Sequence, residues 1–262
     1  MKAAVLQLNA QGLHSTKLYN YIRIAHKQGV KVLLLGEYVL NPFFKELETM
    51  SLAMIKEQVL SQIKVLKELS STYNMTIVAP LVIVKKKKIY KTVAKFSPNS
   101  TSYYQQQLLI AYQHWNEDKF FANEVKAIQA PLIFKVDGFK FAIVSGFELH
   151  FDDIWIKLAP KNIDCVLVPS VSTFDSYDRW KALLVTRAFT NNCYVLRANR
   201  IGEYQDKDLS WKFYGDSVLA SPHGEILEHL GNKEELMIAD MSHTEVIQAR
   251  RFWGFKENIN KR

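Results

Sequence analysis

The strongest constraint on this chain is an alternation: short apolar runs that end at small residues or turn signals are separated by stretches of helical period. Ala3 to Leu8 reads as a strand. Ser15 or Thr16 can then cap a helix whose apolar face holds Leu18, Ile22 and Ala25 and which ends at Gly29, before a second apolar run, Lys31 to Leu35. That is a βαβ unit. From Glu48 to Tyr73 a helical period runs through Leu52, Ile55, Val59, Ile63 and Leu66, after which Met75 to Val84 and Ile89 to Phe96 return to strand. Lys85 to Lys88 falls between them, where a solvated hairpin turn is expected. Asp137-Gly138 predicts another hairpin, with Leu132 to Val136 before it and Phe139 to Val144 after it. The second half repeats the pattern: strand Cys165 to Val168, helix Tyr177 to Thr190, strand Tyr194 to Ala198, then Ser217 to Ala220, a Pro222-His223-Gly224 turn, and Glu225 to Leu227. Interleaving of this kind predicts an α/β architecture. With no Pro/Gly/Ser linker and no internal repeat, residues 1–262 read as a single domain.

Several function classes are excluded or demoted at once. Hydrophobic residues at 48% and charged residues at 23% are ordinary globular values and rule out disorder. The longest apolar stretches, Val32 to Leu35 and Ile77 to Val84, fall short of the roughly 20 residues that a membrane helix needs. No membrane partner is expected. The start, Met1 and Lys2 followed by Ala3 to Leu8, is too short and too polar for a signal peptide, so the cytoplasm is the expected compartment. Cys165 and Cys193 are far apart, without a CxxC or Cys/His cluster, which argues for reduced thiols and against a metal site. The net charge of +8 is weakly clustered, Lys85 to Lys88 being the one run, so nucleic acid stays a minor reading.

Chemistry in α/β proteins gathers where apolar strands end, and two strand ends carry carboxylates. Glu37 follows Val32 to Gly36, and Glu148 follows Phe141 to Phe147. A carboxylate desolvated at such an edge has a raised pKa and can act as a general base; the plainer alternative is that each pairs with an arginine or caps a helix.

Taken together, three patches resemble the nitrilase, or carbon-nitrogen hydrolase, superfamily over nearly the whole chain. The first is Leu33-Leu-Leu-Gly-Glu37, although the family's usual Phe-Pro before the glutamate is Leu35-Gly36 here. The second runs from Asp164-Cys-Val-Leu-Val-Pro-Ser170 through Arg179-Trp180, Arg187-Ala188 and Asn192 to Val195, and ends at Ala198-Asn-Arg200-Ile-Gly202. The third is Tyr214-Gly-Asp-Ser217 with Ser221-Pro-His-Gly-Glu225.

The resemblance implies a four-layer αββα sandwich of the nitrilase type, dimerising or assembling further through its outer helices, with Arg250 to Phe255 as the terminal segment. It also implies hydrolysis of amides, nitriles or carbamoyl groups by a cysteine thiol, a glutamate base and a lysine that steadies the oxyanion. No cofactor is expected. By this resemblance Glu37 is the base, but the nucleophile position falls on Gly146, followed by Phe147 and Glu148. The lysine position falls on His114, in Tyr112-Gln113-His114, and the second glutamate on Glu117 or Asp118, with Lys119 beside them reading as a solvated surface residue.

Two of three reactive groups are therefore changed, and the expected function is a nitrilase-fold protein without thiol-dependent amidase activity. It would bind a small amide-like or carboxylate ligand, or a partner, in a remnant pocket including Glu117, Ser145, Phe147, Glu148, Ser170 and Thr173. Two alternatives keep it an enzyme: Ser145 attacking with Glu37 as base, or a water placed in the space that Gly146 leaves open. Strand alternation points Ser145 away from the pocket.

Overall fold

The computed structural model describes residues 1–11 and 16–255. β1 (Lys2–Gln7), α1 (Thr16–Lys27) and β2 (Val32–Leu35) form the expected βαβ unit, with β1 and β2 parallel; of the two candidate helix caps, Ser15 lies outside the described residues. The period read from Glu48 onward becomes the long α3 (Leu52–Thr72), which starts where the Ser51 side chain accepts the Met54 N–H, and a short α2 (Phe44–Leu47) precedes it. β3 (Thr76–Lys85) and β4 (Lys88–Ser97) pair antiparallel around Lys86 and Lys87. Both turn residues have positive φ, 50° and 60°, the handedness that matches the twist of a tight hairpin. β5 (Ser100–Gln105) adds the outer strand.

The second half begins with α4 (Glu117–Phe120) and the Asp137-Gly138 hairpin, β6 (Ile133–Val136) and β7 (Phe139–Ile143). A tight 3-10 turn, Gly146–His150, leads into α5 (Asp152–Leu158). β8 (Cys165–Pro169), α6 (Tyr177–Asn191) and β9 (Tyr194–Ala198) form a second parallel unit. A hairpin, β10 (Ile201–Gln205) and β11 (Ser210–Tyr214), stands apart from both large sheets, and β12 (Val218–Ala220), β13 (Ile226–His229), β14 (Glu235–Asp240) and α7 (His243–Trp253) complete the chain.

The strands form two six-stranded sheets, ordered β14-β1-β2-β3-β4-β5 and β13-β12-β9-β8-β7-β6. Side chains of period 2 sort onto two faces. Ala3, Val5, Val32, Leu34 and Val78 of one sheet meet Phe141, Ile143, Cys165, Leu167 and Leu196 of the other in a shared core, while Ala4, Leu6, Leu33, Leu35 and Ile77 face α1 and α3. Val166, Val168 and Val195 face α5 and α6 in the same way. The result is helix, sheet, sheet, helix. Central strands buried on both faces explain the unbroken apolar runs in the sequence.

Candidate functional site

β2 delivers Glu37 to the junction of the two sheets. Gly36 is needed just before it, because a Cβ there would lie 3.0–3.1 Å from the Asn199 and Arg200 backbone. Gly36 thus sits where two segments of the chain cross closely. The Glu37 N–H donates to the Ser170 carbonyl at 3.0 Å, and Tyr38 then takes a left-handed φ of 55°, with its carbonyl held by Arg200 Nη1 at 2.8 Å.

The buried Glu37 carboxylate meets a lysine from another part of the sequence. Lys91, on β4, places Nζ 2.7 Å from Glu37 Oε2 and 2.8 and 2.9 Å from the two oxygens of Glu117. Tyr38 donates its hydroxyl to Glu117 Oε1 at 2.6 Å. Asn123 fixes the strand at this point, accepting the Lys91 N–H at 2.9 Å and donating to the Lys91 carbonyl at 2.8 Å. The centre is thus one ammonium between two carboxylates, all three side chains being almost fully buried. Burial pushes Glu37 above the usual carboxylate range, against the pull of Lys91, and the charge of Glu117 pushes it further. Burial alone would lower Lys91, but Glu117 and Glu37 outweigh it and hold the amine above its ordinary value, so it stays protonated.

Gly146 opens the 3-10 turn and faces this centre, its N–H lying 3.4 Å from Glu37 Oε1. The space beside it is occupied. A Cβ at 146 would come 2.7 Å from Ser170 Cβ and 3.2 Å from Ser170 Cα. Ser170 is itself fixed: its Oγ accepts Arg197 Nε–H at 2.9 Å and lies 3.2 Å from the Ala198 carbonyl. Arg197, fully buried, also donates to Ser172 Oγ at 2.6 Å and lies 4.5 Å over the Trp180 ring. A side chain leaving the backbone at 146 would therefore run into Ser170.

Glu148 turns away from Glu37. Its Oε1 accepts the Tyr104 hydroxyl at 2.8 Å and the Gln107 N–H at 2.6 Å, and its Oε2 accepts the Ser145 N–H at 3.0 Å, which closes the turn that carries Gly146. Ser145 is buried at the start of that turn. A cavity of about 450 Å³ opens on the other side of Phe147, lined by Tyr112, His114, Trp115, Phe174, Arg179 and Trp180 among others. His114 lies at its exposed rim, ringed by Tyr112, Phe174 and Trp211. Thr173 lines the cavity and donates its hydroxyl to the Lys212 carbonyl at 2.8 Å.

The structure therefore brings together Glu37, Glu117 and Gly146, sets His114, Phe147 and Thr173 around the cavity, and places Glu148 and Ser145 in a network of their own. Asp118 and Lys119 are exposed on α4, so Glu117 is the acid that faces inward. Lys91 was not among the expected residues. Its signal was strand phase, since it alternates in register with Ile89 and Val93, but Lys95 shares that phase and only packs over Phe134. No group of three or more His, Cys, Asp or Glu residues suited to a metal occurs among the described residues.

The sequence model of the carbon-nitrogen hydrolase family matches residues 2–251. The chain belongs to that family. A deaminated glutathione amidase of Synechocystis sp. (strain PCC 6803 / GT-S) is 23% identical over 266 residues, covering 95% of this chain and 94% of that one. A 2-oxoglutaramate amidase of Bacillus subtilis (strain 168) is 27% identical over 129 residues, a match that spans about half of either protein, 49% of this chain and 48% of the relative. In three dimensions the carbon-nitrogen hydrolase of Helicobacter pylori G27 superposes with a TM-score of 0.84 at 18% identity, covering 97% of this chain and 94% of that one. Its likeness extends the carbon-nitrogen hydrolase fold to the two sheets and outer helices described above. No helix among the described residues is long and apolar enough to cross a membrane.

Proposed function

We propose that this carbon-nitrogen hydrolase homologue does not carry out thiol chemistry and instead binds a small amide-like or carboxylate ligand in the aromatic cavity. One observation carries the reading: the volume that a nucleophile's side chain would need at Gly146 is taken by Ser170, which Arg197 holds in place. The two cysteines offer no substitute. Both are buried, neither is in a disulfide, and burial pushes the Cys165 thiol far above its ordinary pKa. Glu37 is committed to Lys91, and neither residue lines the cavity. The amidase relatives suggest the ligand class, and the reduced thiols suit the cytoplasm.

The test is ammonia release from amides, nitriles and carbamoyl compounds by the native protein, Glu37→Ala and Gly146→Cys. No turnover is expected from any of them. Gly146→Cys should in addition lose about 1–3 kcal/mol of stability by overpacking against Ser170. Adding Ser170→Gly removes the clash but leaves Arg197 Nε–H without its acceptor, so recovery should be partial. Native turnover that Glu37→Ala abolishes would overturn the reading.

The same reading extends to assembly. Phe252 is 77% exposed and Trp253 38% exposed on the last turn of α7, an apolar end better covered than solvated, which favours a dimer or a larger homo-oligomer. Sedimentation at micromolar concentration should show at least a dimer, and a single 30.3 kDa species would refute it.

A further inference from the structure

The cavity beside Phe147 has a chemical bias that its relatives' names do not convey. Its walls are flat: Tyr112, Trp115, Phe147, Phe174 and Trp180 all line it. Several of these rings are already held edge to face by neighbours, Phe147 with Tyr112 at 5.9 Å and Phe151 at 5.1 Å, and Phe174 with His114 at 5.4 Å. Walls fixed in this way favour a planar ring over a flexible chain, because the pocket need not be ordered when the ligand enters.

Its charge is one-sided. Arg179, His114 and His150 line the cavity, and among the described residues no aspartate or glutamate does. Arg179 is a fixed cation, and each histidine ring carries an N–H donor. Arg179 is exposed and donates to the Asp175 carbonyl at 3.0 Å through one nitrogen, which leaves further donors of its planar fork for a ligand.

Two of the hydroxyls that line the cavity spend their donors on the protein itself, Thr173 on the Lys212 carbonyl and Ser176 on the Thr173 carbonyl, so Arg179 is the charged donor left for a ligand.

Resting on the ligand-binding reading above, we propose that this cavity takes an aromatic carboxylate, its ring between the aromatic walls and its carboxylate supplied with donors by Arg179. An amide would offer one oxygen and bring two N–H donors into a lining already rich in donors. An aliphatic acid would satisfy the donors but leave the flat walls unfilled.

Calorimetric titration with benzoate, phenylacetate and indole-3-acetate, their primary amides, and propionate and butyrate tests this. The aromatic acids should bind about tenfold or more tightly than their own amides and than the aliphatic acids. Arg179→Gln should weaken the acids about tenfold and leave the amides unchanged. Tightest binding by an amide or an aliphatic acid would overturn the proposal and leave the ligand-binding reading standing. Binding by none of them would overturn both.

Discussion

Replacing Lys91 by methionine is expected to lower the stability of the fold by about 3–5 kcal/mol, the cost of breaking a buried ion pair on one side only. Methionine fills much the same volume, so packing is nearly kept while the ammonium 2.7–2.9 Å from Glu37 and Glu117 is lost. The two carboxylates are then buried together without a cation. They must either stay charged in a poor dielectric or take up a proton. In a chain of this size the loss should appear as a fall in melting temperature on the order of 10 °C. The deficit should also grow with pH, because both carboxylates would hold protons in the folded chain at pH values where the unfolded chain has released them. Adding Glu37→Gln and Glu117→Gln removes the stranded charges and should return most of the stability. A melting temperature unchanged by Lys91→Met would show that the ammonium is not what holds this centre together.

Lys91 also marks where the sequence stops being legible. Glu37 and Glu148 stood out because each follows an apolar run, and a strand end in a parallel sheet is where side chains meet across the fold, whereas Gly146 was reached through the family resemblance. Lys91 lies inside a strand, brought to Glu37 by pairing of β4 with β3 and of β3 with β2, and nothing local in Lys88–Ser97 says which lysine turns inward. The stretch around His114 resembled the family's lysine segment in order, yet the ammonium that reaches Glu37 comes from β4. Ser170 was legible as a loop residue beside the pocket but not as an obstacle, since its contact with Gly146 depends on how closely β8 and the 146–150 turn approach. The β10–β11 hairpin escaped for another reason. Its charged tip, Asp206 to Asp208, reads as loop, whereas Tyr204, Trp211 and Phe213 are buried against Phe43, and propensity gave way to tertiary packing. α7 was within reach: Ser242 followed three residues later by Glu245 is a helix-start signature, and the Ser242 hydroxyl does accept the Glu245 N–H.

Stability is expected to fall as pH rises through neutrality, with Glu148 setting much of the slope. Burial pushes this carboxyl from its ordinary 4.5 up to about 7, although hydrogen bonds from Gln107, Tyr104 and Ser145 pull the other way. Between those two values the folded chain keeps a proton that the unfolded chain has lost, so acid favours folding. The contribution is full below pH 4.5 and is lost as pH passes 7, a swing of about 3 kcal/mol at roughly 1.4 kcal/mol per pH unit. Glu148→Gln isolates it from other groups that titrate nearby. The amide keeps one acceptor for Tyr104 and Gln107 but turns a donor toward the Ser145 N–H, which costs about 1–3 kcal/mol at any pH. Urea unfolding at pH 5, 6, 7 and 8 should therefore show the deficit of the variant largest at pH 5 and shrinking steadily toward pH 8, where the native protein has lost its own advantage. A deficit that grows with pH would mean that the three donors outweigh burial and that Glu148 is held ionised.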